Sequence, residues 1–248
     1  MKQHLLLLLF LILFVLGCDS DSKLTFEILS LENEACIDCP EIKINVPKAK
    51  GETRIVETIN TTISEELIYT LKFDDSLEVN SVNAAMQSFT KSYKDVKQLY
   101  NDKVIGWEAH AKGKVLYEDS FLITIALDTY AFTGGAHGYS STVFLNFDLV
   151  KSIELENYQL FKDLKGFEQL AENSFRAQNK IPEKGPINQT GFMFSDDTFH
   201  LPENLGFTEE GIQLIYNQYE VASYADGLIE VLISYEEAQP FLNYYFTE

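Results

Sequence analysis

The sequence is short of nearly everything that announces a reaction. It contains no G-x-S-x-G, no H-E-x-x-H and no glycine-rich loop running into Lys-Ser/Thr. Nucleophile-elbow hydrolases, zinc proteases of the H-E-x-x-H kind and phosphate-loop enzymes are therefore excluded. Histidines number only four, and His4 lies at the extreme N-terminus. Basic residues are scarce as well: 19 Lys and Arg stand against 38 Asp and Glu, a net charge of −19. No basic patch or stripe offsets that excess, so the phosphates of nucleic acid would be repelled. The acidity serves solubility or the attraction of a cationic partner. Cysteines number three and tryptophan one. What is plentiful is hydrophobic residues, 46% of the chain, enough for one large globular domain or two small ones.

One long apolar run occurs, and it is at the start. "MKQHLLLLLFLILFVLGC" has Lys2, an apolar stretch from Leu5 to Leu16, then Gly17 and Cys18. That stretch is short for a membrane span and suits the core of a signal peptide. "VLGC" resembles the lipobox of bacterial lipoproteins, which implies cleavage before Cys18 and a diacylglycerol on its sulfur. Residues 1–17 are then the signal peptide and 18–35 a tether and entry segment beginning "DSDSK". The expected address is the bacterial cell envelope, anchored by lipid at the outer membrane or cell surface and facing periplasm or exterior.

Export places the remaining cysteines, Cys36 and Cys39 in "ACIDCP", in an oxidising compartment. Zinc would need further ligands, and no second C-x-x-C or His pair exists; no metal or cofactor is expected. A redox dithiol would open a helix, whereas "EIKINV" after Pro40 alternates as a strand does. The pair is read as a structural disulfide that pins the entry of the first strand.

Period separates the next elements. "ETRIVETINTTISEELIYTL" is rich in β-branched residues, which favours a strand. Yet Val56, Ile59, Ile63 and Leu67 recur at helical spacing, and the period decides for a helix. A second helix is expected from Met86, Phe89, Tyr93, Val96 and Tyr100, capped by Asn80 or Ser81, with Lys97 in its last turns. Period two then takes over. Trp107, Ala109 and Ala111 share one strand face, with Glu108, His110 and Lys112 opposite. Phe121, Ile123, Ile125 and Leu127 form another face, and Val143, Leu145 and Phe147 a third. Three such runs with short connections predict an antiparallel meander.

Between the last two runs lies "FTGGAHGYSS", with Gly134, Gly135, His137 and Gly138 close together. The glycines are expected to take positive φ in a sharp or bulged hairpin. His137 has three readings: a cap for backbone carbonyls, a partner contact, or a base. Further on, Phe167, Leu170, Ala171 and Phe175 predict a helix. "PENLG" and "TEEG" read as turns, and Asp226-Gly227 as a turn into a buried strand from Leu228 to Ile233. The fold class is α+β, antiparallel sheet with helices packed on one face. It is divided into an N-terminal subregion, 36–148, ending with the hairpin and its return strand, and a C-terminal subregion, 149–248.

"YAFTGGAHGYSSTVFLNFDL", "LENYQLFKDL" and "FTEEGIQLIYNQYEVASYADGLIEVLISYEE" together resemble a bacterial envelope family. Its members carry a Y-x-x-T-G-G-A-H-G loop and a closing Y-x-x-Y-E-[IV]-x-x-Y-A-x-G stretch. The extracytoplasmic lysozyme receptor of RsiV-type anti-sigma factors is one form, and related domains precede polysaccharide deacetylase domains. The resemblance covers roughly residues 40 to 240 and implies an α+β fold in two adjoining subregions. No sigma-binding segment or deacetylase domain is recognised, so sigma-factor control is not implied. Two function classes follow. The first is a non-enzymatic, lipid-anchored binding protein whose partner is a cationic, lysozyme-like protein or a cell-wall glycan. Its contact residues would be Gly134, Gly135, His137, Gly138, Tyr219 and Tyr224, since exposed loops bearing aromatics commonly anchor interfaces. The second is a hydrolase of wall polymers using His137 with a nearby carboxylate such as Asp128.

Overall fold

The computed structural model describes residues 23–33, 36, 38–73, 78–100 and 105–244. Cys18 and the apolar N-terminal run lie outside them. Among the described residues the strands form two sheets, with order β1-β2-β3-β4-β5-β6 in the larger and β7-β8-β9 in the smaller. The fold is α+β.

β1 (Phe26–Glu32) pairs antiparallel with β2 (Glu41–Ala49), which pairs in parallel with β3 (Glu108–Glu118). Parallel neighbours need a long crossover. Two helices occupy it: α1 (Arg54–Leu71) and α2 (Val82–Leu99). The helical period of α1 prevails over its β-branched composition because Val56, Ile59, Ile63 and Leu67 all bury against Ile42, Ile44 and Val46 of β2 in one core. Ser81 caps α2 by accepting from the Ala84 N–H, and Lys97 in its last turn pairs with Asp38 at 2.8 Å. Tyr100 leaves the predicted stripe: it is the C-cap residue and points largely to solvent.

The segment expected to be a tether holds β1. Its apolar residues change phase, since Phe26, Leu29 and Leu31 face the core while Ile28 is exposed. That phase break hides an edge strand from a period-two search. Cys36 and Cys39 are disulfide-bonded, with Cα atoms 5.6 Å apart, on the way from β1 into β2. The pair therefore stands before the second strand rather than the first.

β3, β4 (Leu122–Phe132) and β5 (Tyr139–Asp148) form the antiparallel meander, and β6 (Ile153–Glu154) extends it. Phe121 does not join Ile123, Ile125 and Leu127; it lies in the β3–β4 turn, more than half exposed. The opposite face of β4, with Leu122, Thr124 and Ala126, is buried as fully as the predicted one. A second layer accounts for it. β7 (Asn204–Phe207), β8 (Ile212–Tyr216) and β9 (Ile229–Ile233) pack across β4 and β5. "PENLG" is thus only partly a turn, because β7 begins inside it at Asn204. Gly206 has no side chain because a Cβ there would stand 2.5 Å from the Phe144 ring. "TEEG" is the β7–β8 hairpin, with Gly211 at φ +149°.

Between the sheets a short helix α3 (Asn157–Leu160) and the longer α4 (Leu164–Gln178) complete a second core, and α5 (Tyr235–Ala238) follows β9. Phe167, Ala171 and Phe175 of α4 are fully buried with Phe194, Leu205, Phe207, Tyr216 and Val231. Leu122 of β4 belongs to this core too, and β6 to the first sheet, so the subregions interlock across Asp148. The joint is polar at its centre. Thr124 Oγ1 donates to Asn146 Oδ1 at 2.7 Å, and Asn146 Nδ2 donates to the Leu205 carbonyl at 2.7 Å. The Phe207 N–H donates to Thr124 Oγ1 at 3.3 Å.

Candidate functional site

The glycine loop is the β4–β5 hairpin. Gly134 and Gly135 sit at φ +102° and +95°, where a Cβ is strained. Gly138 differs from expectation: it lies outside the left-handed region, and is glycine because a Cβ would stand 2.5 Å from the Tyr130 ring. His137 is exposed. Its Nδ1 is 3.2 Å from the Gly138 carbonyl and its Nε2 is 3.1 Å from the Tyr219 hydroxyl. Its ring stacks on Tyr224, centroids 3.7 Å apart and planes 20° from parallel. The structure thus gathers His137, Tyr219 and Tyr224, from segments some 82 residues apart, into one aromatic cluster.

Two further bonds fix that meeting. Asn217 Oδ1 accepts from the Thr142 N–H at 2.9 Å, and Gln218 Oε1 accepts from the Ser140 N–H at 3.0 Å. Side chains of the 217–218 segment thereby occupy the free edge of β5, where another strand would pair. Tyr219 follows at φ +67°, a costly conformation for a residue with a Cβ. It holds the ring outward, between the loop and the groove beside it.

Asp128 is not brought to His137. It accepts from Thr142 Oγ1 at 2.7 Å, further along the sheet. Among the described residues, the hydrogen-bond partners of His137 are a carbonyl and a tyrosine, not a carboxylate. Among them, too, no group of three or more His, Cys, Asp or Glu could hold a metal.

The large concavity lies next to this cluster. A groove of 1270 Å³ runs between α1, β5–β6 and the 200–204 and 217–220 segments. Its walls carry Tyr69, Tyr139, Tyr158 and Tyr219, the amides of Asn157, Asn204, Asn217 and Gln218, and five glutamates: Glu66, Glu154, Glu156, Glu203 and Glu220. Among the described residues no lysine or arginine lines it, and His200 is its one basic side chain. Partial burial pushes the Glu66 carboxyl up, and the neighbouring Glu154 and Glu65 charges push the same way. Partial burial likewise raises Glu154, against the Thr62 hydroxyl that donates to its Oε2 at 3.0 Å. Glu220 is raised by burial despite accepting the Asn217 N–H at 2.7 Å. Apart from Tyr219, the sequence reading missed these groove residues. Glu66, Tyr139 and Glu220 sit within stretches quoted above, but Glu66 and Glu154 lie 88 positions apart on a helix and an edge strand. No linear motif joins them.

Two neighbouring family models match the chain. The one described as Deacetylase PdaC covers residues 33–140, and the one described as Protein of unknown function (DUF3298) covers residues 158–236. The fold is that of solved DUF3298 proteins. A family member from Bacteroides fragilis NCTC 9343 superposes with a TM-score of 0.69 at 20% identity, over 90% of this chain and 95% of that one. One from Pseudomonas aeruginosa PAO1 gives 0.65 at 21%, over 90% and 96%. Among curated proteins, the peptidoglycan-N-acetylmuramic acid deacetylase PdaC of Bacillus subtilis strain 168 is 24% identical over 170 residues. That match takes in 67% of this chain but only 35% of the deacetylase, so the chain spans about a third of that relative.

Two results test the site's architecture. Gly134→Val or Gly135→Val should lower stability by about 1–3 kcal/mol, since valine must adopt a left-handed backbone. His137→Ala should cost under about 1 kcal/mol, because the ring is exposed and its two hydrogen bonds go to the adjacent residue's carbonyl and to an exposed tyrosine hydroxyl. Urea denaturation of the three variants checks the order.

The groove carboxyls set a pH effect. Glu66, Glu154 and Glu220 bind their protons more readily in the folded than in the unfolded chain. Their contribution to stability is therefore gained as pH falls, and lost as pH rises through the raised folded value. Glu154→Gln should melt above wild type near neutral pH, and the difference should close toward acid. Melting curves from about pH 4 to 8 provide the measurement.

Proposed function

We propose that this chain is a non-enzymatic binding module of the bacterial cell envelope, and that its inter-sheet groove receives a cell-wall glycan. The observation that carries the reading is the groove lining: tyrosine faces, side-chain amides and carboxylates along one open trough. Sugar rings offer C–H faces to aromatics and hydroxyls to carboxylates and amides, which is the complement of such a wall. The relative named for peptidoglycan deacetylation supports a wall polymer as the target. The glycine loop then shapes one end of the trough by holding Tyr219 through His137. The test is co-sedimentation of the full chain, in mild detergent, with purified peptidoglycan sacculi. Pelleting that soluble wall fragments compete away is expected; a chain that stays in the supernatant defeats the reading.

A second reading has its own support. A net charge of −19 and a groove without lysine or arginine favour a cationic protein of the lysozyme kind. Titration with lysozymes at low and high salt separates it from the first. Protein docking would weaken steeply with salt, mainly through slower association.

The anchor belongs to the same proposal. Acylation of Cys18 would tether the module to the membrane through the short "DSDSK" segment. Cys18→Ala is expected to abolish metabolic labelling with a fatty-acid probe and release the protein from the membrane fraction. Labelled, membrane-bound protein in that variant would refute the anchor.

A further inference from the structure

The charge of the groove narrows its ligand, given that it binds glycan at all. Anionic wall polymers are repelled by walls whose described residues carry five carboxylates against a single histidine, His200, and no lysine or arginine. A neutral N-acetylated chain would cover Glu66, Glu154 and Glu220 without compensating them, and covering uncompensated charge is costly. A chain that brings its own cations reverses both terms. Thr62 already bonds one oxygen of Glu154 and the Asn217 N–H one oxygen of Glu220, so the two carboxylates are held in place. Beside them, Tyr139 and Tyr219 are about half exposed and present aromatic surface, to which ammonium groups are attracted. We propose that the groove selects wall glycan carrying free C2 amines, the amino sugars that N-deacetylation leaves behind. The ammonium groups pair with Glu154 and Glu220, and the rings rest on Tyr139 and Tyr219. The module would then be a reader of deacetylated wall, placed after a deacetylation reaction rather than performing one.

The experiment is calorimetric titration of the full chain in mild detergent with a β-1,4-linked glucosamine tetramer and with its fully N-acetylated counterpart. The free-amine tetramer should bind at least about tenfold more tightly. Glu154→Gln and Glu220→Gln should each remove most of that preference, by weakening the free-amine tetramer far more than its acetylated counterpart. Both variants keep an acceptor oxygen for Thr62 or Asn217, and thermal melting verifies that they fold. Equal affinity for the two tetramers overturns the amine assignment and leaves the glycan reading standing. Binding of neither tetramer overturns both. A lysozyme that binds where neither tetramer does gives the groove to a protein partner, and also overturns the inference.

Discussion

Phe175→Ala is expected to destabilise the protein by about 3–5 kcal/mol, a large part of the stability of an ordinary domain. Phe175 is fully buried in α4 and packs its ring against four others. Phe192, Phe194, Phe199 and Tyr216 have centroids 4.9, 5.2, 5.7 and 5.8 Å away. Three of those partners sit in irregular chain between α4 and β7, where aromatic packing substitutes for ladder hydrogen bonds. Truncation therefore opens a cavity walled by rings from that segment, which polar contacts such as those between Asn188 and Phe194 alone would then have to hold in place. The consequence reaches the groove, because the Tyr216 hydroxyl donates to the His200 carbonyl at 2.6 Å and His200 lines the groove. Phe175→Leu conserves most of the volume and should cost under about 1.5 kcal/mol. Urea denaturation of both variants measures the difference. An alanine variant that melts with wild type would mean that the aromatic cluster is not the centre of this core.

The fold was legible where burial is one-sided. The α1 and α2 stripes and the alternation around Ala109 each name a single buried face, and periodicity is a statement about faces. It was less legible where burial is two-sided. In β4, Leu122, Thr124 and Ala126 are buried by a sheet that arrives about eighty residues later in the chain. No local window carries that information. Gly206 shows the same limit: its small size answers to the ring of Phe144, a neighbour only in space. The glycine loop was legible as a hairpin, because positive φ at Gly134 and Gly135 is a local demand. Its role in positioning was only half legible. His137, Tyr219 and Tyr224 could be nominated from their loops, whereas their meeting depends on Asn217 and Gln218 closing the edge of β5. The groove itself was invisible, since its glutamates come from four separate stretches of chain that no linear motif joins.

Asn146→Ala is the second large expected effect, and it separates the joint between the sheets from the groove it supports. Asn146 and Thr124 are almost completely buried, and between them they bond each other, the Leu205 carbonyl and the Phe207 N–H. Alanine leaves the Leu205 carbonyl and the Thr124 hydroxyl without this partner in a region closed to water. A buried polar group left unmade costs about 1–3 kcal/mol, so a loss of about 3 kcal/mol is expected for the two together. Thr124→Val alone leaves Asn146 Oδ1 and the Phe207 N–H without this partner and should cost a comparable amount. The double variant Thr124→Val/Asn146→Ala should be less destabilised than the two single changes summed, the mark of a coupled pair. Neither residue lines the groove, yet the latch fixes β7 against β5, and so holds Asn204 opposite Val143 and Leu145 across the trough. Asn146→Ala should therefore weaken groove binding at temperatures where the protein remains folded. Phe175→Leu, which leaves the latch intact, should not. A folded Asn146→Ala variant with full stability and full affinity would show that apolar packing alone sets the distance between the sheets.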